Sequence, residues 1–255
     1  MNTTHSKSTE ARIERHGSVS STNDLARTRG LEAAPDGTTV VAEAQCAGRG
    51  RRGRSWQSPP GVNLYVSQVV RSEPTQASLI PLLGAVATRQ AVAAELGPDL
   101  QVVIKWPSDL LVQGAKLAGV LAEWVDGEQP FAILGIGINV NATLAELPEN
   151  PRWPATSMGL LTGRHHDREA LLSHLLKALR LWRDRIEQGS DCLVEEVRSH
   201  CISLGRRVRV SEPHRQAFEG TAVRVDRDGV LVVETGGRQQ RVVTGDVDLL
   251  DREPG

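Results

Sequence analysis

The chain has 255 residues, 39% of them hydrophobic, and its 30 basic and 31 acidic side chains leave a net charge of −1. That length supports one large core, or a main domain with a small companion, and the charge balance argues against the broad basic face of a dedicated nucleic-acid binder. Three cysteines (Cys46, Cys192, Cys201) without metal-ligand spacing, a polar N-terminus and no apolar run approaching about 18 residues point to a reduced, soluble cytoplasmic protein.

Residues 1–12 are polar and are expected to form a disordered tail. Ser20-Ser21-Thr22-Asn23-Asp24 is a helix-start signal and Gly30 a stop, so a short helix is expected over about 22–29. A β-rich run at 38–44 enters the segment Gln45–Trp56, and a strand over 63–70 leaves it. Within that segment Gly48-Arg49-Gly50-Arg51-Arg52-Gly53-Arg54 has no apolar side chain to anchor it, which predicts a mobile loop held between two strands. Glycine permits close backbone approach to a ligand, and arginine presents a planar fork of donors that matches carboxylate and phosphate. Taken alone, the loop suits a small anion, a nucleic acid, or solvent. Setting its four arginines aside leaves 26 basic against 31 acidic residues, which favours a small anion over a long polyanion.

An alanine- and leucine-rich run over 77–96, with Pro81 in the first turn and Gly97-Pro98 as the stop, predicts a buried helix. Strands over 102–106, 110–112, 116–125 and 131–140, joined by tight turns, predict an antiparallel meander. Asp167 caps a helix to about 188, with a second helix over 191–203. From Arg206 onward, short alternating strands at 208–210, 218–225, 229–234 and 238–243 predict a small SH3-like β-barrel. The expected fold class is therefore α+β, a mixed or antiparallel sheet flanked by helices over 13–204 and a barrel over 205–255.

Three clusters carry chemistry. Lys105-Trp106-Pro107-Ser108-Asp109 sets a cation, an aromatic and a carboxylate at one strand-to-turn junction, where Asp109 also suits a plain Asx-turn. Lys116 falls, by simple alternation, on the same strand face as Ala118, Val120 and Ala122, which directs its ammonium inward and calls for an anion there. The alternative is a lysine snorkelling to water. Gly135-Ile136-Gly137-Ile138-Asn139 lacks the third glycine and the following helix of a dinucleotide fingerprint, so its glycines mark close approach of a ligand or another strand.

Together these segments resemble the biotin protein ligases. The matching residues are Ser21-Thr22-Asn23, Gln45 with Gly48-Arg-Gly-Arg-Arg-Gly53 and Trp56, Lys105-Trp-Pro-x-Asp109, Lys116-Leu-Ala-Gly119, Gly137-Ile-Asn139 and the terminal barrel. The resemblance implies the class II synthetase-like fold of that family and a two-step reaction. ATP and biotin give biotinyl-5′-adenylate and pyrophosphate, and the adenylate then acylates a lysine of a biotin carboxyl carrier protein. It further implies that Ser21, Thr22, Asn23 and Gln45 hold the ureido ring, with Gly119 and Gly137 along the tail. Gly48, Arg49, Arg51 and Lys116 fall on the carboxylate side. Arg49, Arg51, Arg52, Arg54, Trp56, Lys105 and Asn139 fall on the ATP side, with Trp56 near the adenine. Lys116 and Arg51 are then the catalytic cations, and Asp109 assists deprotonation of the incoming lysine.

The chemistry fits those residue types, since two anions must meet. At about 4 Å two unit charges repel by on the order of 4 kcal/mol at an effective dielectric of 20. Magnesium is implied with ATP and needs few fixed protein ligands. Ser108 stands where the family has Asn, so an amide contact from that position is lost or water-bridged. Only 20 residues precede Ser21, so no helix-turn-helix and no operator DNA binding are expected. A homodimer through the central sheet is left open. The rival readings are a lipoate or octanoate ligase, and an RNA-binding protein using the arginine-glycine loop.

Overall fold

The structure is a computed structural model that describes residues 12–149, 151, 153–212 and 215–251. The expected tail at 1–12 therefore lies, Arg12 apart, outside the described residues. A seven-stranded sheet forms the main body. Its strands are β1 (Ile13–Val19), β2 (Thr39–Gln45), β3 (Leu64–Val70), β4 (Val103–Lys105), β5 (Asp109–Val112), β6 (Ala115–Val125) and β7 (Phe131–Ile138). They lie in the spatial order β1-β2-β3-β7-β6-β5-β4. Only β1 and β2 pair in parallel, so the sheet is mixed, and its second half is the expected meander.

Helices cover both faces: α1 (Thr22–Leu31) one, α2 (Ile80–Leu96) the other. The alternation of β7 sorts its residues accordingly. Leu134, Ile136 and Ile138 join the large core under α2, whereas Phe131 and Ile133 pack beneath α1. α2 is apolar around most of its circumference because it is sandwiched, with α4 (Arg168–Gln188) lying over its outer side. There Trp182 Nε1 donates to Gln90 Oε1 at 2.9 Å. A short α3 (Met158–Thr162) precedes α4, and α5 (Asp191–His200) leads into the barrel.

The barrel strands are β8 (Arg207–Ser211), β9 (Phe218–Val225), β10 (Leu231–Thr235), β11 (Arg238–Val242) and β12 (Asp246–Leu249), in the order β11-β10-β9-β8-β12 and antiparallel throughout. The barrel is bound firmly to the main body. Buried Trp106 donates its indole N–H to the Gly229 carbonyl at 3.1 Å, and barrel residues such as Val208 and Val233 belong to the same core as α2.

Several elements depart from the expectations. β1 was not anticipated, because as an exposed edge strand it presents no apolar face to read. Gly30 does not end α1 but sits inside it, where a Cβ would lie 2.0 Å from the Phe131 ring. The glycine is there for contact, not as a stop. β12 was also missed, although Val247 and Leu249 are buried in strict alternation.

Candidate active site

On the α1 face, beyond Ile133, β7 continues as Gly135 and Gly137, and the side chains that would fill this space are absent. A cavity of about 460 Å³ results, a size suited to a small ligand. Gly135 is required by Asn23, whose Oδ1 would lie 2.2 Å from a Cβ there. Gly137 and Gly119 form a floor for the Trp56 indole. A Cβ at Gly137 would come within 2.5 Å of Trp56 Nε1, and one at Gly119 within 3.2 Å of Lys116 Nζ.

One end of the cavity is polar and tightly bonded. Ser21 caps α1 by accepting from the Asn23 backbone N–H, which turns Thr22 and Asn23 toward the sheet. Gln45 Oε1 accepts from the Thr22 backbone N–H at 2.9 Å and from its hydroxyl at 3.1 Å. Buried Ser67 donates to Thr22 Oγ1 at 2.7 Å or to Asn23 Oδ1 at 2.6 Å. Asn23 Nδ2 donates to Glu123 Oε2 at 2.6 Å, so the amide orientation is fixed from two sides.

The other end is charged. Asp109 Oδ1 lies 2.6 Å from Lys116 Nζ, and its Oδ2 lies 3.1 Å from Lys105 Nζ. Burial alone would push the Asp109 carboxyl up, but Lys116 and Lys105 together hold it well below the usual carboxylate range. Burial pulls the Lys105 ammonium below its ordinary value, against the opposing pull of Asp109. The base role expected for Asp109 does not suit this geometry, because a carboxylate shared by two ammonium groups is a poor proton acceptor. Lys105 also lies over the Trp153 ring, 5.3 Å from its centroid, and Lys116 over that of Trp56 at 5.3 Å.

Lys116 reaches the cavity by a route that simple alternation did not capture. Leu110 pairs with Ala118 and Leu111 with Lys116, so Leu117 is an extra residue, a bulge in β6. The bulge reverses the parity of the strand. Val120 points toward α2, where its Cγ1 would lie 2.8 Å from a Cβ at Gly84, while Lys116 shares the cavity face with Gly119. The bulged segment is pinned outside by the Lys116 backbone, which donates to the Pro154 carbonyl at 2.6 Å and accepts from Thr156 N–H at 3.0 Å. Asn139, on the same wall, commits its amide to the Thr156 carbonyl at 3.0 Å.

The arginine loop is folded over the cavity and pinned, where a mobile loop was expected. Arg49 makes two bonds to Asp24, at 2.9 and 2.6 Å, and lies 3.7 Å from Glu123. Those bonds hold the Asp24 carboxyl below its ordinary value. Arg52 takes a left-handed backbone (φ 58°) and pairs with Asp246, as does Arg54. Arg51 donates to a neutral partner, the Gly245 carbonyl at 2.6 Å, and burial lowers its pKa despite the nearby carboxylates of Asp246 and Asp109.

Nearly all the residues singled out from the sequence therefore line one cavity. Gly48 and Arg52 do not. Gly48 lies beneath the loop, where a Cβ would meet the Trp56 carbonyl at 2.4 Å. Trp56 covers the Gly119–Gly137 floor. Ser108 is buried with its hydroxyl unbonded and lies away from the cavity, so it exposes no side chain to a ligand. The sequence reading missed Glu123 and Ser67, which bond Asn23 and Thr22, and the lining contributed by Asp246, Glu146, Leu147, Pro148, Pro151 and Trp153. Glu123 had a signal, a carboxylate set between the apolar Ala122 and Trp124 near the end of β6.

Known proteins resemble this chain in sequence and fold. Residues 17–141 match the model of the biotin/lipoate A/B protein ligase family, and residues 203–250 match that of the biotin protein ligase C terminal domain. The biotin–acetyl-CoA-carboxylase ligase of Mycobacterium tuberculosis is 37% identical over 220 residues, covering 83% of this chain and 79% of that protein. The bifunctional ligase/repressor BirA of Bacillus subtilis is 34% identical over 239 residues, covering 92% and 73%. Among solved structures, the Aquifex aeolicus biotin protein ligase in complex with biotin and ATP superposes with a TM-score of 0.78 at 27% identity, covering 93% of this chain and 98% of that one. Matched along both its main sheet and its barrel, the chain belongs to the biotin protein ligases of the biotin/lipoate A/B protein ligase family.

Proposed function

We propose that the protein is an ATP-dependent biotin ligase, and that the single cavity holding both the buried polar cluster and the Asp109–Lys116 pair is its active site. The chain activates biotin to biotinyl-5′-AMP and transfers the biotinyl group to a lysine of a biotin carboxyl carrier protein. In the first step a biotin carboxylate oxygen forms a bond to the α-phosphorus of ATP, and the α–β phosphoanhydride bond breaks to release pyrophosphate. In the second, the carrier amine attacks the acyl carbon, loses a proton, and AMP leaves. No protein nucleophile is needed for either step, so positioning and positive charge supply the catalysis.

The roles follow the geometry. The cluster of Thr22, Asn23 and Gln45 behind the Ser21 cap suits the donors and acceptors of a ureido ring, and the Gly119–Gly137 floor with Trp56 above it suits an apolar chain. Lys116 sits at the junction, where its ammonium would bridge carboxylate and α-phosphate, with Arg51 entering from the loop. Lys105, Arg49, Arg54, Asn139 and Trp153 border the remaining space, which is the place for the nucleotide. Arg52, which does not itself line the cavity, supports the loop through its pair with Asp246. Asp109 acts through the two lysines as a positioning residue.

Among the described residues no three His, Cys, Asp or Glu side chains converge to grip a metal. Magnesium would accordingly arrive on the polyphosphate with most of its waters. We assign residues 13–204 to the catalytic unit and 205–255 to the barrel. The carrier of an acetyl-CoA carboxylase or a related carboxylase is the proposed acceptor, and DNA is not a proposed ligand. No described helix is long and apolar enough to cross a membrane, and a cytoplasmic location is proposed.

Incubation with biotin, labelled ATP and Mg²⁺ tests the reading. Labelled biotinyl-adenylate is expected, and it should pass to an apo carrier domain. Adenylate formed with lipoate and not with biotin would overturn it, as would salt-sensitive RNA binding without any adenylate.

A further inference from the structure

The loop that covers the cavity is fastened by the far end of the chain. Arg54 Nη2 donates to Asp246 Oδ1 at 2.7 Å, Arg52 Nη1 donates to Oδ2 at 3.3 Å, and Arg51 Nη2 donates to the Gly245 carbonyl at 2.6 Å. Contacts from three loop arginines thus converge on two adjacent barrel residues that lie 192 to 194 positions away in sequence. Asp246 is the first residue of β12, is only 13% exposed at its side chain, and forms part of the cavity wall.

The receiving side is rigid. Gly245 has φ +148°, and a Cβ there would lie 2.9 Å from the Ser211 carbonyl, so β8 leaves no room for a side chain at this position. Asp246 follows directly, in register with Ser211. On the loop side Arg52 and Arg54 remain 32% and 44% exposed. Each exposed pair is weak by itself. A nearly buried carboxylate that takes two guanidinium groups, beside a carbonyl that takes a third, makes a closure stronger than its parts yet still reversible.

We propose that Asp246 is a positioning residue, the barrel's latch for the arginine loop, and that it retains the acyl-adenylate until an acceptor lysine arrives. The proposal rests on the ligase reading for the identity of what is retained, but not for the latch itself. Its mechanical content is that the barrel controls loop opening. With the latch closed, Asp246 occupies Arg52 and Arg54, and Arg51 is the loop cation held next to the Lys116 end. Opening exposes residues 49–56 to solvent and lets the mixed anhydride leave or hydrolyse.

The test compares wild type, Asp246→Asn and Asp246→Glu in the full-length protein. Trypsin nicking within residues 49–56, followed by mass spectrometry, reports loop opening without any catalysis. Filter retention of labelled biotinyl-adenylate reports its escape. Asp246→Asn should raise both rates on the order of tenfold, while the KM for ATP rises far less, and Asp246→Glu should restore most of the wild-type behaviour. If Asp246→Asn fails to fold, the Arg52→Gln/Arg54→Gln double variant opens the same clasp from the loop side, with Arg49 and Arg51 left as cleavage sites. Wild-type nicking and retention in the variant that folds would overturn the proposal. Failure of the ligase reading would look different: wild type would form no adenylate, and the nicking rates would still judge the latch.

Discussion

Asp109 holds Lys116 at 2.6 Å with one carboxylate oxygen, while the other holds Lys105 at 3.1 Å. Two cations that would repel each other are thereby kept at one end of a cavity whose opposite end presents the hydroxyl and amide groups of Thr22, Asn23 and Gln45. The anion that Lys116 needs between turnovers is supplied by the protein, and a substrate carboxylate or phosphate has to compete for an ammonium already oriented for it.

Asp109→Asn should therefore destabilise the fold by about 1–3 kcal/mol, because two ammonium groups lose their charged acceptor. The pH dependence has a definite sign. The folded carboxyl titrates below its unfolded value, so its contribution is complete above about pH 4 and is lost only as pH falls through the depressed folded value. Thermal melts of wild type and variant should differ by a constant amount from neutral pH down to about pH 5 and converge only in stronger acid. Convergence already at neutral pH would contradict the pairing.

Two glycine substitutions should separate site from scaffold. Gly137→Ala places a methyl group 2.5 Å from Trp56 Nε1 in the cavity floor, and should weaken biotin binding by about tenfold or more while the melting temperature changes little. Gly30→Ala drives a methyl group into the Phe131 ring, and should cost about 1–3 kcal/mol of stability while biotin affinity is kept. Calorimetric titration and urea unfolding of both variants would check the crossed pattern.

Chelation should divide the functions in a similar way. With no converging set of metal ligands among the described residues, EDTA is expected to leave the melting temperature and biotin binding unchanged and to stop adenylate formation. A chelator-induced fall in melting temperature would reveal a structural metal.

Much of this site was legible in the sequence because its parts are local. The Ser21 and Asp167 caps, the arginine-glycine run and the paired glycines of β7 each announce themselves within a few residues. What escaped was set by long-range geometry. Alternation placed Lys116 with Ala118 and Val120, but the bulge at Leu117 put it on the opposite face, so a correct inward direction came from an incorrect register. Glu123 and Asp246 have roles only because distant segments, at Asn23 and at Arg52 and Arg54, fold onto them. The arginine loop appeared unanchored since its anchors are charged and lie elsewhere in the chain.

The central claim is that the Lys116 ammonium lets the biotin carboxylate and the α-phosphate of ATP approach. The most direct measurement is the single-turnover rate of biotinyl-adenylate formation by Lys116→Ala, with the fold verified by circular dichroism. A fall of about 100- to 1,000-fold is predicted, the scale of losing one preorganised charge at the reacting centre. Adenylate formation at the wild-type rate by the folded variant would contradict the account.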